Sequence, residues 1–219
     1  GNPTILGSFV ALCLPLVIYA KNKFAAFLSI ITLVITFSAT SLFSVISAGM
    51  FYLFFTKRRL SILIGVLMLL CLIPLHNLDI FNRLLNPTGR FEVWKVSWGM
   101  LQHKTMTGLG LGTWEQLMGL NPMVEKILHN LSWKEAHNEY WQILFSTGLI
   151  GLGLIIGFIC KVAADFLKNI NKETLALGGC FVIALVLCLT LFPMRVGPTS
   201  FYIVVLTGLL LGKFKMGEV

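Results

Sequence analysis

The sequence predicts an all-α membrane protein, a polytopic helical bundle with a long, partly helical extracytoplasmic loop. Of its 219 residues, 57% are hydrophobic and only 12% are charged, which is about half the charged share of an ordinary soluble domain. The mean hydropathy is +0.86. Long uncharged runs alternate with short basic segments. This pattern excludes both a soluble globular chain and a disordered one.

The uncharged runs give the candidate membrane spans, because a spanning helix needs roughly 17–25 apolar residues. They cover residues 1–20, 24–56, 60–75, 140–160, 174–194 and 196–212. The run 24–56 is too long for one span and slightly short for two. Basic clusters flank it on both sides, and Lys and Arg are retained on the cytoplasmic side. A turn near Ser38–Ser41 keeps both clusters inside, and a re-entrant segment there would do the same.

The resulting topology has seven spans, with the N-terminus outside and the C-terminus inside. It divides the chain into about four spans over residues 1–75, an outer loop over 76–139 and about three spans over 140–219. The net charge of +8 then reflects membrane topology and predicts no nucleic-acid partner. The chain begins with Gly in an apolar run, so we expect a partial chain. Its five cysteines show no CxxC spacing, which predicts neither disulfides nor a thiolate metal site.

The outer loop holds all four histidines and four of the five tryptophans, so any chemistry is expected there. A turn over Asn86–Gly89 leads into a predicted helix from about Arg90 to Lys104. Its apolar residues repeat at helical spacing and form a stripe that can rest on the membrane surface. The stripe consists of Phe91, Trp94, Trp98 and Leu101. The segment Gly108–Gly112 predicts a tight backbone turn, because it lacks both GxGxxG spacing and a preceding strand.

A second helix is expected to enter the membrane from the end of this loop. The segment Ser132–Glu135 has the form of a capping box, which predicts a helix that runs into the span 140–160. On such a helix one face carries His137, Tyr140, Trp141 and Leu144. Farther along, small residues predict a face for close helix packing. They are Gly148, Gly151, Gly153 and Gly157.

Three sequence motifs carry a resemblance to a known family. They are Arg90-Phe91-Glu92-Val93-Trp94, then Gly108-Leu109-Gly110-Leu111-Gly112-Thr113-Trp114, then Ala136-His137-Asn138-Glu139-Tyr140 with Gly148-Leu149-Ile150-Gly151 after it. With them the chain resembles the O-antigen ligase and O-antigen polymerase family over essentially its whole length, as the C-terminal half of a longer protein. The resemblance implies a multi-pass enzyme of the bacterial cytoplasmic (inner) membrane, with its active loop in the periplasm and no cofactor.

The reaction implied is transfer of a glycan from a polyprenyl diphosphate donor to a sugar hydroxyl of a glycolipid or glycan acceptor, among membrane lipids. Arg90 is then expected to hold the diphosphate, because its planar fork binds phosphate oxygens and stays charged. His137 is expected to be the general base, since imidazole titrates in the useful range. Asn138 and Tyr140 are expected to contact the acceptor or to support the site.

Two further residues are candidates for substrate contacts. Trp94 would stack on a sugar or anchor the loop at the membrane surface. Arg195 follows Pro193-Met194 at the predicted outer end of a span, where it would supply a second cation. The loop shows no Asp-x-Asp motif or carboxylate pair, so we expect a metal-independent enzyme.

Other interpretations of these residues remain open at this stage. His137 could be only a polar residue at the membrane interface, and Arg90 could be a cation that reaches the lipid headgroups. The protein could be a component of a polysaccharide or lipid transporter or flippase, or an inactive, truncated relative. A transport pathway is less favoured, because membrane-embedded charges usually mark one and the predicted spans contain none.

Overall fold

The structure, a computed structural model, describes residues 2–75, 90–119, 121, 122, 124 and 134–216, and it confirms the all-α class. Within these residues the chain forms nine α-helices and one 3-10 turn and no strand. The helices are α1 (Pro3–Tyr19), α2 (Lys23–Ile35), α3 (Ala39–Thr56), α4 (Arg58–Leu75), α5 (Arg90–Leu101), α6 (Thr113–Gly119), α7 (Glu139–Lys168), α8 (Lys172–Thr190) and α9 (Gly197–Met216).

Four of these helices are long and apolar enough to cross a membrane, namely α3, α7, α8 and the part of α9 over Gly197–Phe214. The helices α1 and α2 are apolar but shorter. The membrane bundle expected from the sequence is therefore confirmed, while the count of seven spans and the division at residues 75 and 139 stay predictions.

The chain folds into two compact units. The first unit combines residues Gly1–Leu63 with Ile159–Val219, and the second unit is Ile64–Phe158.

In the first unit, side chains that cap helices mark the boundaries between the apolar runs. The amide oxygens of Asn2 and Asn22 and the hydroxyl of Ser38 each accept a hydrogen bond from a backbone N–H of the following helix. Asn171 forms a complete capping box with Thr174 at the start of α8. Such caps satisfy N–H groups that have no partner within the helix.

The turn predicted inside the run 24–56 is confirmed between α2 and α3. Its hydroxyls are buried and bond to one another: Ser38 Oγ lies 2.8 Å from Ser41 Oγ, which lies 3.4 Å from Ser8 Oγ on α1. Gly7 makes this approach possible, since a Cβ there would lie 2.9 Å from Ser41 Oγ. The apolar surroundings tolerate the turn because these polar atoms are paired.

The core of the first unit consists of two apolar clusters. One lies among α1, α3 and α8 and includes Leu12, Ala48 and Ile183. The other contains an aromatic group in which Phe166 contacts the rings of Phe51 and Phe55 at centroid distances of 5.3 and 5.4 Å.

The core of the second unit is built on Trp114, which is fully buried and packs edge-on against Phe145 at 4.9 Å. Val93 from α5, Met118 from α6 and Ala136 from the segment before α7 complete this cluster. The unit therefore holds α5, α6 and the first part of α7 around one apolar centre.

Helix α7 is broken at Gly148, whose φ of 67° and ψ of −165° are not helical. A loop that follows α5 supplies hydrogen bonds on both sides of the break. The bonds run from Leu109 N to Phe145 O (2.9 Å), from Gly110 N to Ser146 O (3.0 Å), from Leu149 N to Thr105 O (2.9 Å) and from Ile150 N to Met106 O (3.3 Å). The break is therefore compatible with an apolar environment, where an unpaired backbone group is costly.

Among the described residues, the four glycines expected to form a helix-packing face do not form one. A Cβ on Gly148 would overlap the carbonyl of Met106, and one on Gly108 would lie 2.5 Å from the Ser146 carbonyl. A Cβ on Gly151 would meet Thr147 of its own helix. No described atom lies within 4 Å of a Cβ on Gly153 or Gly157. Glycine is needed where the loop after α5 approaches the backbone closely at the break in α7, and not along a stripe of the helix.

The tight turn predicted over Gly108–Gly112 is confirmed, with φ values of 72°, 111° and 77° at Gly108, Gly110 and Gly112. The helix predicted from Arg90 forms and ends at Leu101. Its buried residues are Val93, Ser97 and Leu101, whereas Phe91 and Trp98 remain 49% and 45% exposed. The buried face has Ser97 at its centre and includes Leu101 of the predicted stripe, while contact of the exposed Phe91 and Trp98 with a membrane surface stays a prediction.

The helix predicted to begin at the capping box begins later in the chain. Residues 134–138 are not helical and α7 begins at Glu139. Ser132 and Trp133, like the turn predicted over Asn86–Gly89, lie outside the described residues. His137 therefore does not share a helix face with Tyr140, Trp141 and Leu144 as expected.

We predict that Gly148→Ala destabilises the second unit while Gly153→Ala does not. The Gly148 conformation is accessible essentially only to glycine, and the substitution should cost at least about 2 kcal/mol. Gly153 is helical and faces open space, so alanine there should be neutral or stabilise by about 0.5–1 kcal/mol. Thermal unfolding followed by near-UV circular dichroism of the tryptophans measures both. Equal midpoints for the two variants would contradict this account of the break.

Candidate active site

The site expected from the sequence lies within the second unit, where α5 meets the segment before α7. Arg90 is the first residue of α5 and its side chain is partly buried. Burial lowers the pKa of its guanidinium below the ordinary value. The group still carries its charge at neutral pH, because arginine does not lose its proton in proteins. The site therefore contains a partly desolvated, permanent cation.

His137 lies in the non-helical segment just before α7, with a partly buried side chain. Its backbone is in the left-handed region, with a φ of 53°, which is uncommon for a residue with a side chain. Burial lowers the pKa of His137 from 6.5 to about 4, and the positive charge of Arg90 acts in the same direction. The imidazole is thus neutral at pH 7, and the structure brings these two predicted catalytic residues together.

Two side chains hold the residue that precedes His137. The Ala136 N–H donates to Gln142 Oε1 at 2.7 Å, and the Ala136 carbonyl accepts from Trp94 Nε1 at 2.8 Å. Ala136 is completely buried. Because both of its backbone polar groups are bound, the position of the next residue along the chain is restricted as well.

A group of aromatic rings joins α5 to the first turn of α7. Trp94 and Trp141 stack with centroids 6.0 Å apart and planes inclined by 28°. Trp98 contacts Trp141 at 6.1 Å, and Phe91 packs edge-on against Trp94 at 5.4 Å. Trp141 Nε1 donates to the buried Ser97 Oγ at 2.9 Å. The helix that begins with Arg90 is therefore fixed against the helix that follows His137.

Asn138 and Tyr140, the predicted substrate contacts, lie at the beginning of α7. Asn138 Oδ1 accepts from Trp141 N at 2.9 Å, so it caps this helix. Tyr140 is partly buried in the first turn. Trp94, also predicted to contact substrate, uses its indole N–H to hold Ala136. Structural roles for Asn138 and Trp94 are therefore visible, and their substrate contacts stay predictions.

Arg195 is the last residue of the 3-10 turn Pro193–Arg195 and is exposed. It belongs to the first unit. Its predicted role as a second cation for the substrate remains a prediction.

Sequence reasoning missed two residues that shape the site. Gln142 is buried and binds Ala136, and Ser97 is fully buried and accepts from Trp141. A signal was present for each, because a lone polar residue within an apolar stretch usually has a specific partner. The identity of that partner, on another segment, was not available from spacing.

Among the described residues, no three or more acids, histidines or cysteines lie close enough together to hold a metal ion. An ion pair from the segment before α7, between Lys134 Nζ and Glu115 Oε1 at 3.6 Å, is exposed and adds little stability.

Comparison with known proteins places the chain in a family. No curated protein matches it significantly. A family model described as O-antigen ligase matches residues 4–156, more than two thirds of the chain. The matched range includes Arg90, Trp94 and the segment from His137 to Tyr140, and Arg195 lies beyond it. With a match over this share of its length, the chain belongs to the O-antigen ligase family of membrane glycan transferases.

Proposed function

We propose that this protein transfers a polyprenyl-diphosphate-linked glycan to a sugar hydroxyl at the outer face of the bacterial cytoplasmic membrane. Family membership supports membrane glycan transfer in general, with a glycolipid donor and a glycan acceptor. The finer proposal is carried by one observation: the partly buried side chains of Arg90 and His137 lie in one site, close enough for the guanidinium to lower the pKa of the imidazole.

In the proposed reaction, the acceptor hydroxyl oxygen forms a bond to the anomeric carbon of the donor glycan. The bond between that carbon and the diphosphate oxygen breaks, and the diphosphate leaves with the bonding electrons. His137 takes the hydroxyl proton, while Arg90 stabilises the negative charge that develops on the leaving group. A fixed cation suits this task, because it is in place before the charge develops.

The two residues are coupled in a way that supports an order of events. With a pKa of about 4, His137 is a weak base before the donor binds. A diphosphate bound to Arg90 brings negative charge that opposes the effect of the guanidinium on the imidazole. Its arrival therefore raises the pKa of His137 toward neutrality, where general-base catalysis is more efficient. The base therefore becomes more effective once the leaving group is in place.

The other predicted residues are assigned supporting contacts in this proposal. Asn138 and Tyr140 lie beside the base in the chain and are proposed to approach the acceptor, and the ring of Trp94 is proposed to contact a sugar. Arg195 is proposed as a second cation for the donor.

The orientation is proposed from the distribution of charge. Basic residues next to α2, α4 and α8 favour a cytoplasmic position for those helix ends. Residues 76–139 would then form the periplasmic loop between about four spans and about three. The guanidinium supplies the positive charge that a metal ion supplies in other transferases, so we propose that the reaction is independent of metal ions.

The family match favours glycan transfer over a transporter or flippase component. An inactive, truncated relative remains the alternative, and loss of activity in the variants below distinguishes it. Ligase and polymerase activities differ in their products: a blocked ligase leaves polymer on the polyprenyl carrier, and a blocked polymerase leaves single repeat units.

We predict that His137→Asn abolishes transfer without unfolding the protein. Asparagine tolerates the left-handed backbone at this position but accepts no proton at neutral pH. The loss of a general base should lower the rate by about 10²–10⁴-fold. The measurement is transfer from a polyprenyl-diphosphate-linked glycan by purified protein, together with surface glycolipid ladders in cells. Arg90→Ala should show a loss of about 10²-fold or more.

Matched controls lie on the same helix and just after it. His103 and Lys95 are exposed, so His103→Asn and Lys95→Ala should retain the rate of the unaltered protein. Deletion of the gene should change the glycolipid ladder of the cell. If it does so and the His137→Asn variant shows an unchanged ladder, His137 is only an interfacial residue.

We predict that the titration of His137 depends on Arg90 and on the donor. The folded-state pKa of about 4 lies below the ordinary 6.5. The stability associated with the neutral imidazole is therefore complete above about pH 6.5 and is lost as the pH falls toward 4. Arg90→Gln should raise the pKa part of the way to 6.5, because burial is the larger cause. A diphosphate-bearing donor analogue should raise it in the unaltered protein.

Nuclear magnetic resonance of imidazole-labelled protein in lipid nanodiscs measures this pKa, with His137→Asn identifying the resonance. A pKa near 6.5 in both the unaltered protein and Arg90→Gln would refute the coupling.

We predict that chelators leave the transfer rate unchanged, because Arg90 provides the charge that balances the leaving diphosphate. The measurement is the transfer rate before and after treatment with EDTA and after addition of Mg²⁺. Complete loss with EDTA and recovery with Mg²⁺ would show that the reaction requires a metal ion.

A further inference from the structure

An apolar cavity of about 330 Å³ lies among α1, α3 and α8 in the first unit. This volume is within the usual range of sites for small molecules, roughly 300–1,000 Å³. Three polar residues stand at one end of the cavity: Tyr19 at the end of α1, Tyr52 in the last turns of α3 and Lys172 at the start of α8. The remaining lining residues are apolar.

Small residues explain why three packed helices leave this space open. Ala48 and Gly49 of α3 and Ala176 and Gly179 of α8 line the cavity. No described atom lies within 4 Å of a Cβ built on Gly49. A larger residue at that position would occupy the cavity directly.

The length of the cavity matches one leaflet of a membrane. Along α8 its lining extends from Lys172 to Ile183, which is about 16 Å at the helical rise of 1.5 Å per residue. The hydrocarbon core of a bilayer is about 30 Å thick, so one acyl chain of one leaflet has the required length. A polyprenyl chain is much longer than this.

The charges at the end of the cavity with Lys172 favour an anionic headgroup. The neighbouring acid, Glu173, is paired with Lys213 at 3.0 Å, and Asp165 is paired with Lys161. Lys172 is also the first residue of α8, where the helix dipole adds partial positive charge. This end of the cavity is therefore electropositive, and the nearby acids are neutralised.

We propose that this cavity binds one anionic glycerophospholipid, with an acyl chain between α1, α3 and α8 and its phosphate at Lys172. Tyr19 and Tyr52 lie at headgroup level, where amphipathic rings are favoured. The lipid comes from the leaflet at the lysine-rich end, which the charge rule assigns to the cytoplasm. This lipid site is independent of the proposed transfer reaction. The bound lipid fills the space that the small residues leave.

The test uses the full chain reconstituted in vesicles with equal amounts of phosphatidylglycerol and phosphatidylethanolamine, then extracted in mild detergent. Native mass spectrometry should show one retained phospholipid, with phosphatidylglycerol preferred about fivefold, as expected for one lysine near a headgroup of net negative charge. Lys172→Gln should abolish the preference. Gly49→Leu should abolish retention, because its side chain fills the cavity.

Two substitutions outside the cavity serve as controls. Lys168→Gln removes an exposed lysine of the same end, and Gly208→Leu adds the same side chain at an open position on α9. Both should retain lipid like the unaltered protein. Thermal unfolding checks that each variant is folded. If Gly49→Leu does not fold, the result for Lys172→Gln alone decides the test. An unchanged preference in Lys172→Gln, or no phospholipid retained by the unaltered protein, would overturn the proposal.

Discussion

The exchange of backbone hydrogen bonds at Gly148 is the constraint on which the second unit depends. A break in α7 exposes N–H and C=O groups in an apolar part of the chain, where each unpaired group costs about 1–3 kcal/mol. The loop over residues 105–110 binds these groups. Because this loop follows α5 directly, the same bonds fix α5 beside the start of α7. Arg90 and His137, distant in sequence, thereby come to one site.

The candidate base is positioned through the backbone of its neighbour. Trp94 and Gln142 bind the two polar groups of Ala136, and Asn138 caps the helix on the other side. His137 is held between them in a left-handed conformation that costs about 1–3 kcal/mol for a residue other than glycine. Strain of this kind persists only where surrounding contacts impose it. Its coincidence with a neutral imidazole beside a cation supports a functional role.

The sequence predicts those features that local chemistry determines. Apolar runs, the turn near Ser38–Ser41 and the glycines at positions 108–112 fix helices and turns through nearby residues, and these predictions were confirmed. The break at Gly148 and the conformation of His137 depend on hydrogen bonds to segments far away in the chain. Spacing along one helix carries no information about such partners. For the same reason, the burial of Ser97 against Trp141 was not predicted.

The two units use their polar side chains differently, and this difference indicates where positioning occurs. In the first unit, many hydroxyls bond to a carbonyl of their own helix, as Ser47 and Thr207 do, although the Ser8–Ser41 contact joins α1 to α3. Such bonds satisfy a polar group without fixing one helix against another. In the second unit, indole and amide groups bond across elements, from Trp141 to Ser97 and between Gln142 and Ala136. Bonds of this second kind specify distances between segments, which a reaction with two substrates requires.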